Sequence, residues 1–284
     1  MTFKETAFTF TNQAQNVLIG IIHQPDNCQS RVGLMIVVGG PQYRIGAHRQ
    51  YVHLARHAAK VGIPAMRFDY QGIGDSDGTY PGFEDVGPDM EHAIDAFLTR
   101  CPEIDSVALW GLCEGASAIL LGGIKHKAVS HIILANPWVR TDSGLARAYV
   151  KHYYLDRLKS PEFWRKIFSG HLNITSALTG FAANIRRAFA PKKAGTIEDT
   201  RPFPDRMLSG LQEFQGKSLL LMSGQDLVAR EFADLISSDR PWKDAIRDKI
   251  STRIDLAESD HTFSCEQWRQ VVAKSTADWL LSGQ

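Results

Sequence analysis

Three side chains of the types that carry nucleophilic acyl chemistry stand in three separate loops. Cys113 lies in VALWGLCEGASA (107–118), where an apolar run meets G-x-C-x-G and then small, helix-compatible residues. Asp226 lies in SGQDLV (223–228) and His261 in ESDHTF (258–263). A sulfur nucleophile, a base to take its proton and a carboxylate to orient the base suffice for covalent acyl transfer. A sharp strand–turn–helix around a glycine-flanked nucleophile strains the central residue, and the glycines remove side chains that would clash. The helix N-terminus then favours an anion at that place. Glu114 works against this by like charge, unless its carboxylate turns toward solvent.

Charge that develops on a carbonyl oxygen needs donors. VVGGPQ (37–42) ends an apolar run and offers the backbone N–H of Gly40, with the N–H of Glu114 as the second donor. Pro41 has no N–H, and a loop shifted by one residue makes Gln42 the donor instead. Asp226 follows a strand, at the edge where sheets of this kind collect their sites. Asp260, adjacent to His261, is the alternative acid. Gly74-Asp75-Ser76-Asp77-Gly78 satisfies G-x-S-x-G literally, but it follows a loop and leads into TYPGFEDVGP rather than a helix, so Ser76 is not expected to be the nucleophile. His48, His53 and His57 fall on one predicted helix and read as solvated positions, so no metal and no cofactor are expected.

The elements that must position these residues alternate. Strands are expected at 5–11, 17–22, 32–38, 65–70, 106–110, 131–137, 218–224 and 252–257. Helices are expected at 47–60, 84–99, 114–124, 229–238 and 264–281. VGLMIVV and SLLLMSG are continuous apolar runs, as strands covered on both faces require. The alternation predicts an α/β fold with a mostly parallel sheet of about eight strands and helices on both faces. It stops after Pro137. Residues 138–212 read as a helical cap inserted after the sixth strand, between core segments 1–137 and 213–284, because structureless loops of that length are rare in compact domains. Over 138–206 the chain has 13 Lys and Arg against 6 Asp and Glu, so this stretch is near +7 and the rest near −6. Trp138, Tyr153 and Trp164 are candidate substrate contacts there, with Gln42 from the core.

Composition narrows the class. A net charge of +1 over 284 residues gives no reason to expect nucleic-acid binding. MTFKETAFTFTNQ lacks a basic start followed by an apolar stretch, and no apolar run approaches the length of a membrane span. Four irregularly spaced cysteines suit reduced thiols, and a cytoplasmic protein is expected.

RFDYQGIGDS resembles the D-x-R-G-x-G-x-S loop of the α/β-hydrolase superfamily, with Gln71 where arginine is common. The GGP segment resembles that superfamily's H-G-G-P loop, with Val38 where histidine is common. The cysteine elbow is similar to that of dienelactone hydrolases, which use Cys, His and Asp. WGLCEGAS, LLLMSGQDLVAREF and SDHTFS together resemble the exosortase A system-associated hydrolases of type one. The resemblance implies an α/β-hydrolase fold and a Cys113–Asp226–His261 triad. It also implies a place beside exosortase and exopolysaccharide functions in a Gram-negative bacterium. The expected activity is hydrolysis of an ester or thioester through an acyl-enzyme, on a small-molecule or carrier-bound acyl substrate. The alternatives are an acyltransferase with the same triad, or a noncatalytic binding protein on the same fold. The basic cap suits an anionic substrate or peripheral contact with an acidic membrane surface.

Overall fold

Apolar runs with no polar face can be strands only when both sides are covered, and the centre of this sheet meets that condition. The computed structural model describes residues 2–40, 42–140 and 199–282. Its eight strands are β1 (Phe3–Thr11), β2 (Val17–Pro25), β3 (Val32–Val37), β4 (Ala65–Phe68), β5 (Ser106–Leu112), β6 (Val129–Ala135), β7 (Lys217–Ser223) and β8 (Thr252–Leu256). They form one sheet in the order β1-β2-β4-β3-β5-β6-β7-β8. β1 with β2 and β2 with β4 are antiparallel, and all other pairs are parallel. This is the expected α/β-hydrolase architecture, and every residue of β3 and β4 is buried.

Alternation along β5 sends neighbouring side chains to opposite faces. Trp110 meets Tyr51 edge-on, with ring centroids 5.9 Å apart. Tyr51 belongs to helix α1 (Gln50–Lys60), which packs with the C-terminal helix Glu266–Ser282. Leu109 faces the other way, toward Gly123 and Met90. On that side helix α2 (Gly87–Arg100) and helix α3 (Glu114–Leu121) pack, and α3 also meets helix α4 (Phe203–Glu213).

Two elements differ from expectation. The helix predicted from residue 47 begins at Gln50, because His48 and Arg49, within the short 3-10 turn Ala47–Arg49, take positive φ values of 52° and 60°. After helix α5 (Leu227–Ser238) a further helix, α6 (Arg240–Lys249), was not predicted. Asp239 caps it through the Trp242 N–H, with Pro241 in its first turn, which are the usual signals of a helix start.

The chain divides into two compact units, Met1–Val139 with Phe203–Gln284, and Arg140–Pro202. Residues 203–212, counted from the sequence with the insertion, are thus in the core unit as part of α4. Residues 141–198, most of the expected cap, lie outside the described residues, and Tyr153 and Trp164 with them. Among the described residues no helix is long and apolar enough to cross a membrane.

Candidate active site

β5 runs out at Leu112, and Cys113 turns the chain into α3 at φ 57° and ψ −123°. Such a conformation in a non-glycine residue costs of order 1–3 kcal/mol and persists only where its surroundings over-determine it. The surroundings here are backbone. A Cβ on Gly111 would lie 2.5 Å from the Gly115 carbonyl carbon, and one on Gly115 would lie 2.6 Å from the Val37 oxygen. The turn, the start of α3 and the end of β3 therefore approach as closely as chains without side chains allow. The Cys113 N–H donates to the Ala135 carbonyl at 2.9 Å, which fixes the elbow on β6.

His261 comes from the loop after β8 and Asp226 from the loop after β7. Their separation is 2.7 Å, from His261 Nδ1 to Asp226 Oδ2. A carboxylate only accepts, so Nδ1 carries the proton and the second ring nitrogen is left for the sulfur. The Asp226 hydrogen bond, with the Cys113 side chain acting in the same direction, pushes the His261 pKa up to about 10 against the opposing effect of burial. Asp226 also caps α5, accepting from the N–H groups of Val228 at 3.0 Å and Ala229 at 3.2 Å. The buried carboxylate is thus held from two sides before any substrate arrives. Asp260, the alternative acid, is spent on its own turn, accepting from the N–H groups of Thr262 at 3.2 Å and Ser264 at 3.0 Å and from the Ser264 hydroxyl. Asp226, only two residues after Gly224 at the end of β7, thus reaches the imidazole.

Gly40 has φ 62° and stands beside the elbow, where Glu114 opens α3. The sequence left the Glu114 carboxylate free to turn toward solvent. In the structure it is half-buried, and burial raises its pKa against the opposing effect of the Gly40 backbone. Gln42 turns inward on its own loop, its side-chain oxygen accepting from the Ala47 N–H at 3.2 Å. Trp138 is half-buried, and its carbonyl accepts from the Ser117 hydroxyl at 2.6 Å.

Ser76 sits in a different place and does a different job. Its hydroxyl donates to the Asp69 carbonyl and accepts from the Ile19 N–H, each at 3.0 Å. The flanking Asp75 pairs with Arg44, which also pairs with buried Asp69. The literal serine motif is a brace between β2 and β4.

Sequence reasoning missed the residues that hold the loops together. Asn136, at φ 44°, accepts from the Ser223 N–H at 2.8 Å and donates to the Ser223 hydroxyl at 2.9 Å. The Ser223 hydroxyl donates to the Asp260 carbonyl at 3.0 Å and accepts from Ser259 at 2.9 Å. Asn136 also reaches the His261 carbonyl at 3.5 Å. This buried network ties the ends of β6 and β7 to the histidine loop. The one local signal was an asparagine, a residue tolerant of positive φ, between an apolar strand and Pro137. All four cysteines are free, and no group of three or more His, Cys, Asp or Glu able to hold a metal occurs among the described residues.

Comparison with known proteins fits this geometry. The family model described as serine aminopeptidase, S33, matches residues 36–174. That span contains the elbow, where this chain has Cys113. An esterase of Pyrococcus furiosus is similar in structure, with a TM-score of 0.64 and 14% identity over 98% of this chain and 90% of that one. The esterase domain of a Rhodothermus marinus protein has a TM-score of 0.61 and 16% identity over 98% of this chain and 99% of that one. The α/β hydrolase GrgF of Penicillium sp. has a TM-score of 0.59 and 16% identity over 98% of both chains. No curated protein matches the sequence. At these identities the likeness establishes the α/β-hydrolase fold.

Proposed function

We propose that this chain, an α/β-hydrolase by fold, hydrolyses ester or thioester substrates through an acyl-enzyme on Cys113. The observation that carries the reading is the 2.7 Å bond between His261 and Asp226, with Cys113 among the groups that raise the His261 pKa. His261 holds the thiol proton as the imidazolium, and the sulfur attacks the substrate carbonyl carbon as the thiolate. The tetrahedral oxyanion is held by the N–H groups of Gly40 and Glu114, where one such donor contributes about 3 kcal/mol in characterised hydrolases. As the carbonyl re-forms, the bond to the leaving alcohol or thiol breaks and His261 protonates it. Water, deprotonated by His261, then attacks the Cys113 thioester, and the acid leaves.

The finer reading rests on sequence. The resemblance of WGLCEGAS and its companion segments supports an acyl substrate tied to exosortase or exopolysaccharide functions. The charge near +7 over 138–206 supports an anionic or carrier-bound acyl group, with 138–202 acting as the cap and Trp138, Tyr153, Trp164 and Gln42 as contacts. Four free cysteines support a reducing compartment, the cytoplasm.

Iodoacetamide tests the assignment. Alkylation that maps to the Cys113 peptide and stops p-nitrophenyl acetate hydrolysis in proportion is the expected result. Complete modification of Cys113 with activity retained overturns it.

A further inference from the structure

The end of β6 touches every loop that carries a triad member. The Cys113 N–H donates to the Ala135 carbonyl at 2.9 Å, and the Trp138 N–H returns to the Cys113 carbonyl at 3.4 Å. Between Ala135 and Trp138 stands Asn136, fully buried at φ 44°, its own N–H on the Leu221 carbonyl of β7 at 3.0 Å. Its side chain serves the other two loops. The Ser223 N–H only donates, so the amide oxygen of Asn136 meets it, at 2.8 Å, and the amide nitrogen is left to donate to the Ser223 hydroxyl at 2.9 Å. The hydroxyl then has its single proton to give elsewhere, and it gives it to the Asp260 carbonyl at 3.0 Å. The direction of each bond is set from Asn136 outward, and the chain of bonds ends on the peptide that joins Asp260 to His261.

The two members of the His–Asp pair are placed by different means. Asp226 is anchored by α5, from whose first N–H groups it accepts. The His261 side chain is 32% exposed and hangs from a loop, so the backbone at 260 and 261 decides where it points. Asn136 also reaches the His261 carbonyl, at 3.5 Å, and the neighbouring Ser259 carbonyl accepts from the Gln225 N–H at 3.0 Å. We propose that Asn136 is a positioning residue for the base. Its amide, acting through the Ser223 hydroxyl, holds the His261 loop within reach of Asp226, while the peptide before it holds the elbow of Cys113. One short segment then sets the geometry of all three triad members. An amide suits the task because it offers an acceptor and a donor side by side. A carboxylate there would draw the Ser223 proton away from the Asp260 carbonyl and release the histidine loop. The inference rests on the hydrolase reading above.

Two variants of the full chain test it. Asn136→Gly removes the amide and keeps a positive φ that glycine adopts freely. Ser223→Ala removes one hydroxyl and leaves the Ser223 N–H on Asn136. Each lowers kcat for p-nitrophenyl acetate by about ten- to a hundredfold, the size of effect that a misplacement of about 1 Å produces, with KM within about threefold of wild type. In both, the His261 imidazole, followed by NMR, titrates at lower pH than in wild type, because it loses its reach to Asp226. The double variant loses little more than the worse single one, since both act through one chain of bonds. A merely structural role would lower the melting temperature alone. Folded variants with kcat within about threefold of wild type and an unmoved His261 titration overturn the inference. Ser223→Ala, the smaller deletion, decides by itself where Asn136→Gly does not fold. A wild-type protein without hydrolysis overturns the hydrolase reading, and the His261 titration still decides whether Asn136 positions the ring.

Discussion

Cys113→Ala lowers hydrolysis of p-nitrophenyl acetate by about a thousandfold or more, while Ser76→Ala leaves it within about threefold of wild type. The contrast follows from what each side chain touches. Cys113 is held in a strained turn at the mouth of a helix, and its side chain acts on His261, raising the imidazole pKa. Ser76 gives both its hydrogen bonds to backbone, at Asp69 and Ile19. Removing its hydroxyl costs about 1–3 kcal/mol of stability by leaving those groups unpaired, and leaves the site untouched. Initial rates and melting curves on the two variants separate the effects. Inverted results, with Ser76→Ala inactive and Cys113→Ala active, would move the nucleophile to the serine motif.

Asp226→Asn has the second largest expected effect, a fall in kcat of about 10³- to 10⁴-fold, the size seen when the acid of a triad becomes an amide. The amide cannot hold the Nδ1 proton as the carboxylate does, so the imidazole presents the wrong nitrogen to Cys113. The bond from Asp226 is also the main reason His261 holds its proton up to about pH 10. In the variant His261 titrates at lower pH, and the limb of the rate profile that reports its deprotonation moves acid-ward. The helix cap separates catalysis from folding. Asparagine caps helices about as well as aspartate, so α5 stays intact in Asp226→Asn, whereas Asp226→Ala also loses about 1 kcal/mol of stability. A kcat within tenfold of wild type in a folded Asp226→Asn protein would remove Asp226 from the machinery and reopen Asp260.

The parts legible in the sequence were those governed by local pattern. β3, β5, β6 and β7 read correctly because a strand buried on both faces leaves an unbroken apolar run. The elbow read correctly because the close approach of Gly111 and Gly115 to backbone leaves glycine as its mark. The start of α1 read wrongly because the positive φ at His48 and Arg49 is imposed by the surrounding loop and leaves no glycine behind. The tie among Asn136, Ser223 and Ser259 joins segments far apart in the chain, so no window of sequence contains it. The same holds for Glu114. Its neighbour in sequence suggested only like-charge opposition to Cys113, and Gly40, which lies beside its carboxylate, arrives from another strand's end. Asp226 sat between these cases. Its place after β7 was readable, but the reach to His261 depends on how two loops converge.

The central claim is a covalent acyl group on sulfur, and trapping it is the most direct measurement. The protein is mixed with p-nitrophenyl acetate, quenched in acid within the first turnovers, digested and mapped by mass spectrometry. The account predicts an acetyl group on the peptide bearing Cys113, labile to hydroxylamine as a thioester is and absent from Cys113→Ala. An acetyl group on a serine peptide, or turnover with Cys113 never acylated, would contradict it.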